Sequence, residues 1–180
     1  SVHGVVGDFT DSLEHLPAGG RRMVAFLGGT IGNLVPEERA AFLSGLASIL
    51  DRDEWLLLGA GLVVDPGVLI PAYDDAAGVT AEFDRNVLRV LNNRLGAEFE
   101  PDRFVHRAVW DPDNEWIEMR LEATETMTVP VPGLDLEVSL EKGEQIRTEI
   151  SAKFRLDGLG AELDRAGFVV HREWIDRDGR

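Results

Sequence analysis

Apolar residues in the first third of the chain form short continuous runs separated by helical patterns. Three such runs, typical of strands covered on both faces, are Val2–Val6, Met23–Leu27 and Trp55–Leu58. Residues 11–16 favour a short helix and residues 17–20 a turn. Pro36 opens a longer helix with apolar residues at helical spacing up to Leu50. This β-α-β-α-β order predicts a parallel sheet with right-handed crossovers.

The pattern changes after residue 62. Residues 68–75 resemble a connector, and Thr80–Leu95 is predicted to be a helix with a stripe of Phe83, Val87, Leu91 and Leu95. Alternating segments then predict antiparallel strands at 103–110, 115–123 and 134–140, the first two joined by a turn at 111–114; the second should be half-buried. A helix at 156–166, with Gly167 just after its end, and a closing strand at 168–175 complete the chain.

These elements predict a mixed α/β chain with an interrupted core. Residues 1–62 form part of a parallel-sheet core, residues 63–153 form an inserted α+β block, and residues 154–180 return to the core with a helix and a strand. The chain begins abruptly at Ser1, inside a predicted strand, so we expect it to be part of a longer protein.

The net charge of −15 makes nucleic acid an unexpected partner, because such a surface repels phosphates. No apolar run reaches about 18 residues, so no membrane span is predicted. The chain has no cysteine, which is compatible with the cytoplasm and excludes disulfides. Two lysines beside sixteen arginines are typical of a GC-rich bacterial genome. The oligomeric state does not follow from the sequence.

A loop rich in glycine follows the predicted strand 23–27 and indicates a small-molecule site. Gly28, Gly29 and Gly32 allow a ligand to approach the backbone, and Thr30 and Asn33 add polar groups. In open α/β sheets, ligands bind at the carboxyl ends of strands such as this one. The loop lacks the G-K-[ST] ending of a P-loop and the G-x-G-x-x-G of dinucleotide sites. A tight turn without a ligand is the alternative.

Other candidate residues are scattered along the chain. Asp8 follows an apolar run, where an acidic residue commonly holds a nucleoside. Tyr73 is the single tyrosine and could reach the glycine loop. Glu149 and Ser151 are two residues apart and would share one side of an extended segment, either as a binding pair or as a solvent-facing edge. The four histidines lack metal-ligand spacing, and no nucleophile motif is present, so neither a metal nor a catalytic side chain is expected.

Several motifs together resemble those of the S-adenosylmethionine-dependent histidine Nα-methyltransferases of ergothioneine biosynthesis, over essentially all 180 residues. These motifs are GDF ending at Phe9, FLGGTIGN at 26–33, AYDDAAGVTAEF at 72–83, IEM at 117–119 and EISAKF at 149–154. The resemblance implies a class I, Rossmann-like methyltransferase core with a substrate-recognition domain at 63–153. It also implies S-adenosylmethionine as methyl donor and L-histidine as substrate, converted to the trimethylated product hercynine.

The resemblance assigns roles to individual residues. Asp8 and Phe9 would hold the adenine of the donor, and Gly28 would offer its backbone near the donor's amino acid end. The residues expected to bind the substrate are Thr30 and Asn33 at its amino and carboxylate groups, Tyr73 at the carboxylate, Phe83 and Met119 as pocket walls, and Glu149 and Ser151 at the imidazole. Catalysis would rest on positioning alone.

The chain also departs from this family. These 180 residues lack three features of the family: an N-terminal substrate segment, the first strand with its glycine loop, and the acidic residue that holds the ribose. The 180 residues are therefore expected to be inactive alone. Gly61 and Val64 stand where relatives usually have Asp and Lys. Two alternatives therefore stay open: a methyltransferase for another amino acid or small amine, and a binding domain without enzymatic activity.

Overall fold

The computed structural model of the chain describes residues 2, 4–10, 13–16 and 20–177. The chain divides into two compact units, one of residues 1–63 and 152–180, the other of residues 64–151. Both contain helices and strands, so the predicted mixed α/β class is confirmed. Among the described residues, no helix has the length and apolar character needed to cross a membrane.

The first unit is built on a β-α-β motif with one further helix. Its elements are β1 (Met23–Phe26), α1 (Pro36–Ile49), β2 (Trp55–Leu58) and α4 (Leu156–Arg165). β1 and β2 pair in parallel, with Met23 opposite Trp55, as predicted. A single turn of 3-10 helix at Leu13–His15 lies within the predicted helix 11–16, of which residues 11 and 12 are not described.

Helix α1 begins where the sequence places its start. Pro36 occupies the first helical position, and the main-chain N–H of Val35 donates to the Glu38 carboxylate at 3.2 Å. Phe42, Leu43 and Leu46 form its buried face. Each side chain buried in this way stabilises the fold by about 1.5–3 kcal/mol.

Two strand predictions in this unit are wrong. The described residues of Val2–Val6 and of 168–175 form no strand, and Val169 remains 89% exposed. An apolar run becomes a strand only with a hydrogen-bonded neighbour, which local sequence cannot supply. β1 was also expected to be covered on both faces, yet Met23 is 62% exposed. The turn predicted at 17–20 lies mostly outside the described residues.

The predicted connector at 68–75 is in fact largely helical. Helix α2 spans Pro66–Tyr73. The Asp65 carboxylate caps it by accepting from the main-chain N–H of Gly67 at 2.7 Å, and Pro66 takes the first helical position, which needs no donor. Pro71 lies inside this helix, which has only eight residues.

The second unit packs α2 and α3 with two small sheets. Its remaining elements are α3 (Val79–Leu95), β3 (Phe104–Asp111), β4 (Trp116–Ala123), β5 (Met127–Val131), β6 (Leu136–Leu140) and β7 (Gln145–Ala152). One sheet has the order β3-β4-β7 and the other pairs β5 with β6. The antiparallel hairpin β3-β4 is confirmed, whereas β5 was not predicted. Leu88, Phe104 and Leu121 lie at the centre of the core.

One prediction about the faces of these elements is half right and another is wrong. On α3, Leu91 and Leu95 of the predicted stripe pack against the core, but Phe83 is 67% exposed and the buried residues are Asp84 and Leu88. β4 is not half-buried, because the Glu118 carboxylate is buried among the donors of Trp116, Arg120 and Arg147. Polar residues satisfied inside the fold mimic a solvent-facing side in the sequence.

Gly32 is required by a close approach of two backbone segments in the first unit. A Cβ at this position would lie 2.7 Å from the Ala152 carbonyl oxygen and 3.2 Å from its nitrogen. We expect Gly32→Ala to lower the free energy of unfolding by roughly 1–3 kcal/mol, because backbone must move. Denaturant unfolding monitored by circular dichroism measures this value.

The control for this substitution is Gly160→Ala in α4, where a Cβ would meet nothing within 4 Å. It should raise the free energy of unfolding by about 0.5–1 kcal/mol, because alanine favours a helix. A Gly32→Ala protein as stable as the wild type would contradict the close approach.

Candidate functional site

The glycine loop at the carboxyl end of β1 adopts a conformation that favours glycine. Gly28 and Gly29 have φ angles of +85° and +75°, in the left-handed region. The main-chain N–H of Gly32 donates to the Gly29 carbonyl at 2.9 Å and starts a short 3-10 helix, Thr30–Asn33. Gly28 is exposed, and Thr30 and Asn33 lie two and five residues after it.

Asp8 and Phe9 belong to the same unit as this loop. The Phe9 ring packs against Phe26 and Phe42, with centroids 5.3 and 5.7 Å apart, which places it beside β1. The Asp8 carboxylate accepts from the hydroxyl of Thr10 at 2.6 Å and from its main-chain N–H at 2.9 Å. These hydrogen bonds, the hydroxyl first, lower the pKa of Asp8 below its usual value. An ionised acceptor thus lies next to a partly exposed ring.

In the second unit the structure brings together two predicted site residues that are 78 positions apart. Tyr73 is the last residue of α2, and its hydroxyl lies 2.8 Å from the Ser151 hydroxyl at the end of β7. Either oxygen can be the donor. In such a pair one hydroxyl donates to the other, so each hydroxyl oxygen holds the position of its partner.

Glu149 lies two residues before Ser151 on the same strand and is partly buried. Burial raises the pKa of its carboxyl, and the negative charge of Asp84 raises it further. A carboxyl in such surroundings is sensitive to any ligand group that donates to it.

The two residues predicted to form pocket walls lie in different environments. Met119 is buried in β4, opposite Ala108 of β3, and its carbonyl oxygen lies 2.9 Å from the Thr148 hydroxyl oxygen. Phe83 lies in the first turn of α3 with most of its side chain exposed. Its ring is therefore not part of the buried cluster.

Three polar residues of this unit were not predicted to belong near the site. Asp84 accepts hydrogen bonds from His106 and from the Thr148 hydroxyl, and His106 also contacts the main-chain carbonyl of Tyr73. The sequence held one signal for them. His106 alternates with Phe104 and Ala108 in β3, so it occupies an inward position of the strand.

Gly61 and Val64, where the chain departs from the motif pattern, follow β2. The Gly61 carbonyl accepts from the main-chain N–H of Phe154 at 2.9 Å, and Leu62 forms a parallel bridge with Phe154. A Cβ on Gly61 would lie 3.4 Å from Cδ and 3.8 Å from Nζ of Lys153. A carboxylate at this position would therefore meet the Lys153 side chain.

The described residues contain no group of three or more histidine, aspartate or glutamate side chains that could hold a metal ion. The arrangement instead offers hydrogen-bonding groups and exposed backbone, which suits the binding and orientation of a small polar molecule.

A family model described as histidine-specific methyltransferase, SAM-dependent, matches residues 1–180. The chain belongs to this family. It is 51% identical over 178 residues to the histidine N-alpha-methyltransferase of Mycolicibacterium smegmatis and 48% identical over the same length to that of Mycobacterium tuberculosis. Each alignment covers 99% of the chain and 56% of the relative, so the chain spans little more than half of their length.

A fungal protein is also similar. The ergothioneine biosynthesis protein 1 of Neurospora crassa is 32% identical over 118 residues, which cover 62% of the chain and 14% of that protein.

The environment of Glu149 predicts how stability depends on pH. The pKa of Glu149 in the folded state is raised above the ordinary 4.5 of the unfolded state. Between these two pKa values the folded state binds more protons than the unfolded state, so the free energy of unfolding falls as the pH rises. Glu149→Gln removes this cost. We expect it to raise the free energy of unfolding at pH 7, with a difference that shrinks as the pH is lowered towards 4.5.

Glu122→Gln in β4 provides a control of opposite sign. The Arg107 guanidinium donates to Glu122 and lowers the pKa of this carboxyl, so its contribution is lost as the pH falls. Urea unfolding of both variants between pH 4 and 8 measures the two trends. A Glu149→Gln protein less stable than the wild type at pH 7 would contradict the raised pKa.

Proposed function

We propose that the whole protein methylates the α-amino group of L-histidine to hercynine, with S-adenosylmethionine as donor, in ergothioneine biosynthesis. The observation that supports this most strongly is the match of the histidine-specific methyltransferase family over all 180 residues. The two mycobacterial relatives named as histidine N-alpha-methyltransferases support it further. We place the reaction in the cytoplasm, with which the absence of cysteine is compatible.

In this proposal the first unit is part of a Rossmann-like methyltransferase core, and residues 63–153 are a substrate-recognition domain inserted into it. The parallel β1-β2 pair and the loop at its carboxyl end support the first assignment. The hydroxyl pair and Glu149 support the second, because they lie in a unit of their own.

The residues of the first unit fit the methyl donor. The ionised Asp8 carboxylate would accept from the adenine amino group, and the partly exposed Phe9 ring would stack on the base. The backbone of Gly28 would approach the donor closely, because the residue has no side chain. A Cβ placed on Gly28 would have only the Thr30 hydroxyl oxygen nearby, at 3.8 Å. Bound S-adenosylmethionine supplies an electrophilic methyl group on a sulfonium that is also the leaving group.

Because the leaving group is already in place, no protein nucleophile is needed and positioning is the main contribution of the residues. Thr30 and Asn33 would orient the amino and carboxylate groups of the substrate, so that the uncharged amine points at the methyl group. The substrate must lose a proton from its amine before each transfer.

The Glu149 carboxylate and the Ser151 hydroxyl complement a neutral imidazole, which has one N–H donor and one acceptor nitrogen. Glu149 would accept from the N–H of the imidazole, and Ser151 would donate to its other nitrogen. The Tyr73 hydroxyl would either donate to Ser151 or turn to the carboxylate of the substrate. Met119 would line the pocket, and Phe83 would cover it if its exposed ring packs against the bound ligand.

A second candidate is a methyltransferase for another amino acid or a small amine. Gly61 and Val64 favour this second candidate. The motif pattern has an aspartate carboxylate at position 61, and this chain has a glycine there, beside Lys153. The specificity of the Glu149 and Ser151 pair distinguishes the two candidates.

The proposal predicts a change of specificity for Glu149→Ala in the full-length protein. The kcat/KM for histidine should fall roughly five- to 150-fold, the equivalent of about 1–3 kcal/mol, because one buried hydrogen bond is lost. Turnover of an apolar aromatic amino acid should fall less, since the penalty for an unpaired carboxylate disappears. Steady-state kinetics on histidine and phenylalanine measures both.

Asn33→Ala is the matched control, because Asn33 would hold the part common to all amino acids. It should weaken both substrates alike. If Glu149→Ala lowers both substrates equally, Glu149 does not bind the imidazole. If the wild-type protein prefers another amine to histidine, the second candidate is correct.

A further inference from the structure

His106 and Asp84 form a fully enclosed pair in the second unit. Their exposed fractions are 3% and 4%, and His106 Nδ1 lies 2.7 Å from Asp84 Oδ2. The other ring nitrogen, Nε2, lies 2.8 Å from the main-chain carbonyl oxygen of Tyr73. Neither residue has a role in the chemistry proposed above.

These two contacts define where the protons are. A carbonyl oxygen only accepts, so Nε2 of His106 must carry a hydrogen. A second proton must lie between Nδ1 and Asp84 Oδ2, because two bare acceptors would repel each other at 2.7 Å. The contacts therefore require one hydrogen on Nε2, directed at the Tyr73 carbonyl, and one hydrogen between Nδ1 and Asp84.

The Tyr73 carbonyl is the last one of helix α2 and has no partner within the helix. An N–H group that donates to this carbonyl satisfies an acceptor that the helix itself leaves without a donor. His106 thereby fixes the end of α2 against β3. The side chain of Tyr73 leaves from the same residue, and its hydroxyl meets Ser151.

Asp84 also contacts strand β7, which carries Glu149 and Ser151. The Thr148 hydroxyl contacts both Asp84 Oδ1 and the Met119 carbonyl, and Thr148 directly precedes Glu149 in β7. The buried Asp84 carboxylate therefore connects His106, which contacts the Tyr73 carbonyl, with strand β7, which carries Glu149 and Ser151.

We propose that His106, oriented by Asp84, is a positioning residue that fixes Tyr73 through its main-chain carbonyl and so aligns the Tyr73 and Ser151 hydroxyls. The alignment follows from the contacts alone. Its use in histidine binding rests on the proposed function.

The single tyrosine of the chain makes the alignment measurable. With ¹³C-labelled tyrosine, the chain gives one Tyr73 ring signal, and Ser151→Ala defines the shift that results from loss of the hydroxyl bond. His106→Asn retains a donor near Nδ1 but none that reaches the Tyr73 carbonyl. We expect it to move the Tyr73 signal towards the Ser151→Ala position.

The matched control is Val129→Ala, a truncation in the core of the same unit. It should destabilise the unit and leave the Tyr73 signal at the wild-type position. A His106→Asn signal unchanged from the wild type, or an equal movement in Val129→Ala, would overturn the proposal.

A measurement on the wild type keeps the proposal testable if His106→Asn does not fold. With ¹⁵N-labelled histidine, the His106 signals are those that remain when His3, His15 and His171 are replaced by Gln. Nε2 of His106 should carry a hydrogen, because it donates to the Tyr73 carbonyl, and a bare Nε2 would overturn the proposal.

The full-length protein separates this inference from the proposed function. If His106 positions Tyr73 for histidine, His106→Asn should raise KM for histidine about tenfold with little change in kcat, and it should have almost no further effect in a Tyr73→Phe background. Equal losses in both backgrounds would overturn that use. A wild-type protein that methylates no histidine would refute the proposed function and leave the spectroscopic result standing.

Discussion

The buried carboxylate of Asp84 is the interaction on which the second unit and its candidate site depend. A charge removed from water is costly unless it is paired and hydrogen-bonded, so Asp84 requires partners from the elements packed around it. His106 of β3 and Thr148 of β7 supply them. The same requirement fixes α3, β3 and β7 relative to one another, and through His106 it also fixes the end of α2.

Arginine plays the corresponding part in the first unit. Arg22 binds the Glu54 carboxylate through Nε at 2.6 Å and also donates to the Ile49 carbonyl, which joins the start of β1 to the end of α1 and the start of β2. This pairing lowers the pKa of Glu54 to about 2. Arg39 binds Glu162 of α4 and the Leu34 carbonyl. The planar guanidinium suits such multiple contacts, whereas an ammonium group does not.

The sequence was sufficient for elements whose signals are local. Pro36 with its helical stripe predicted α1, and the alternation around Asp111 predicted the β3-β4 hairpin. It was insufficient where the outcome depends on distant partners. The apolar run at 168–175 pairs with no strand among the described residues, and α2 begins at the Asp65 cap within a segment that was predicted to be a connector.

The candidate site shows the same division. Tyr73, Glu149 and Ser151 were selected from their motifs, but nothing in the sequence indicated the 2.8 Å contact between Tyr73 and Ser151. Asp84 lies outside the predicted helical stripe, which begins one position earlier at Phe83. In the sequence, a buried aspartate is indistinguishable from a solvated one until its partners are known.

The most direct test of this account is a crystal structure of the full-length protein with L-histidine and S-adenosylhomocysteine. The account predicts that the two imidazole nitrogens lie within hydrogen-bond distance, about 2.7–3.2 Å, of the Glu149 carboxylate and the Ser151 hydroxyl. An imidazole held by other residues, with Glu149 and Ser151 facing solvent or bonded only within the protein, would contradict it.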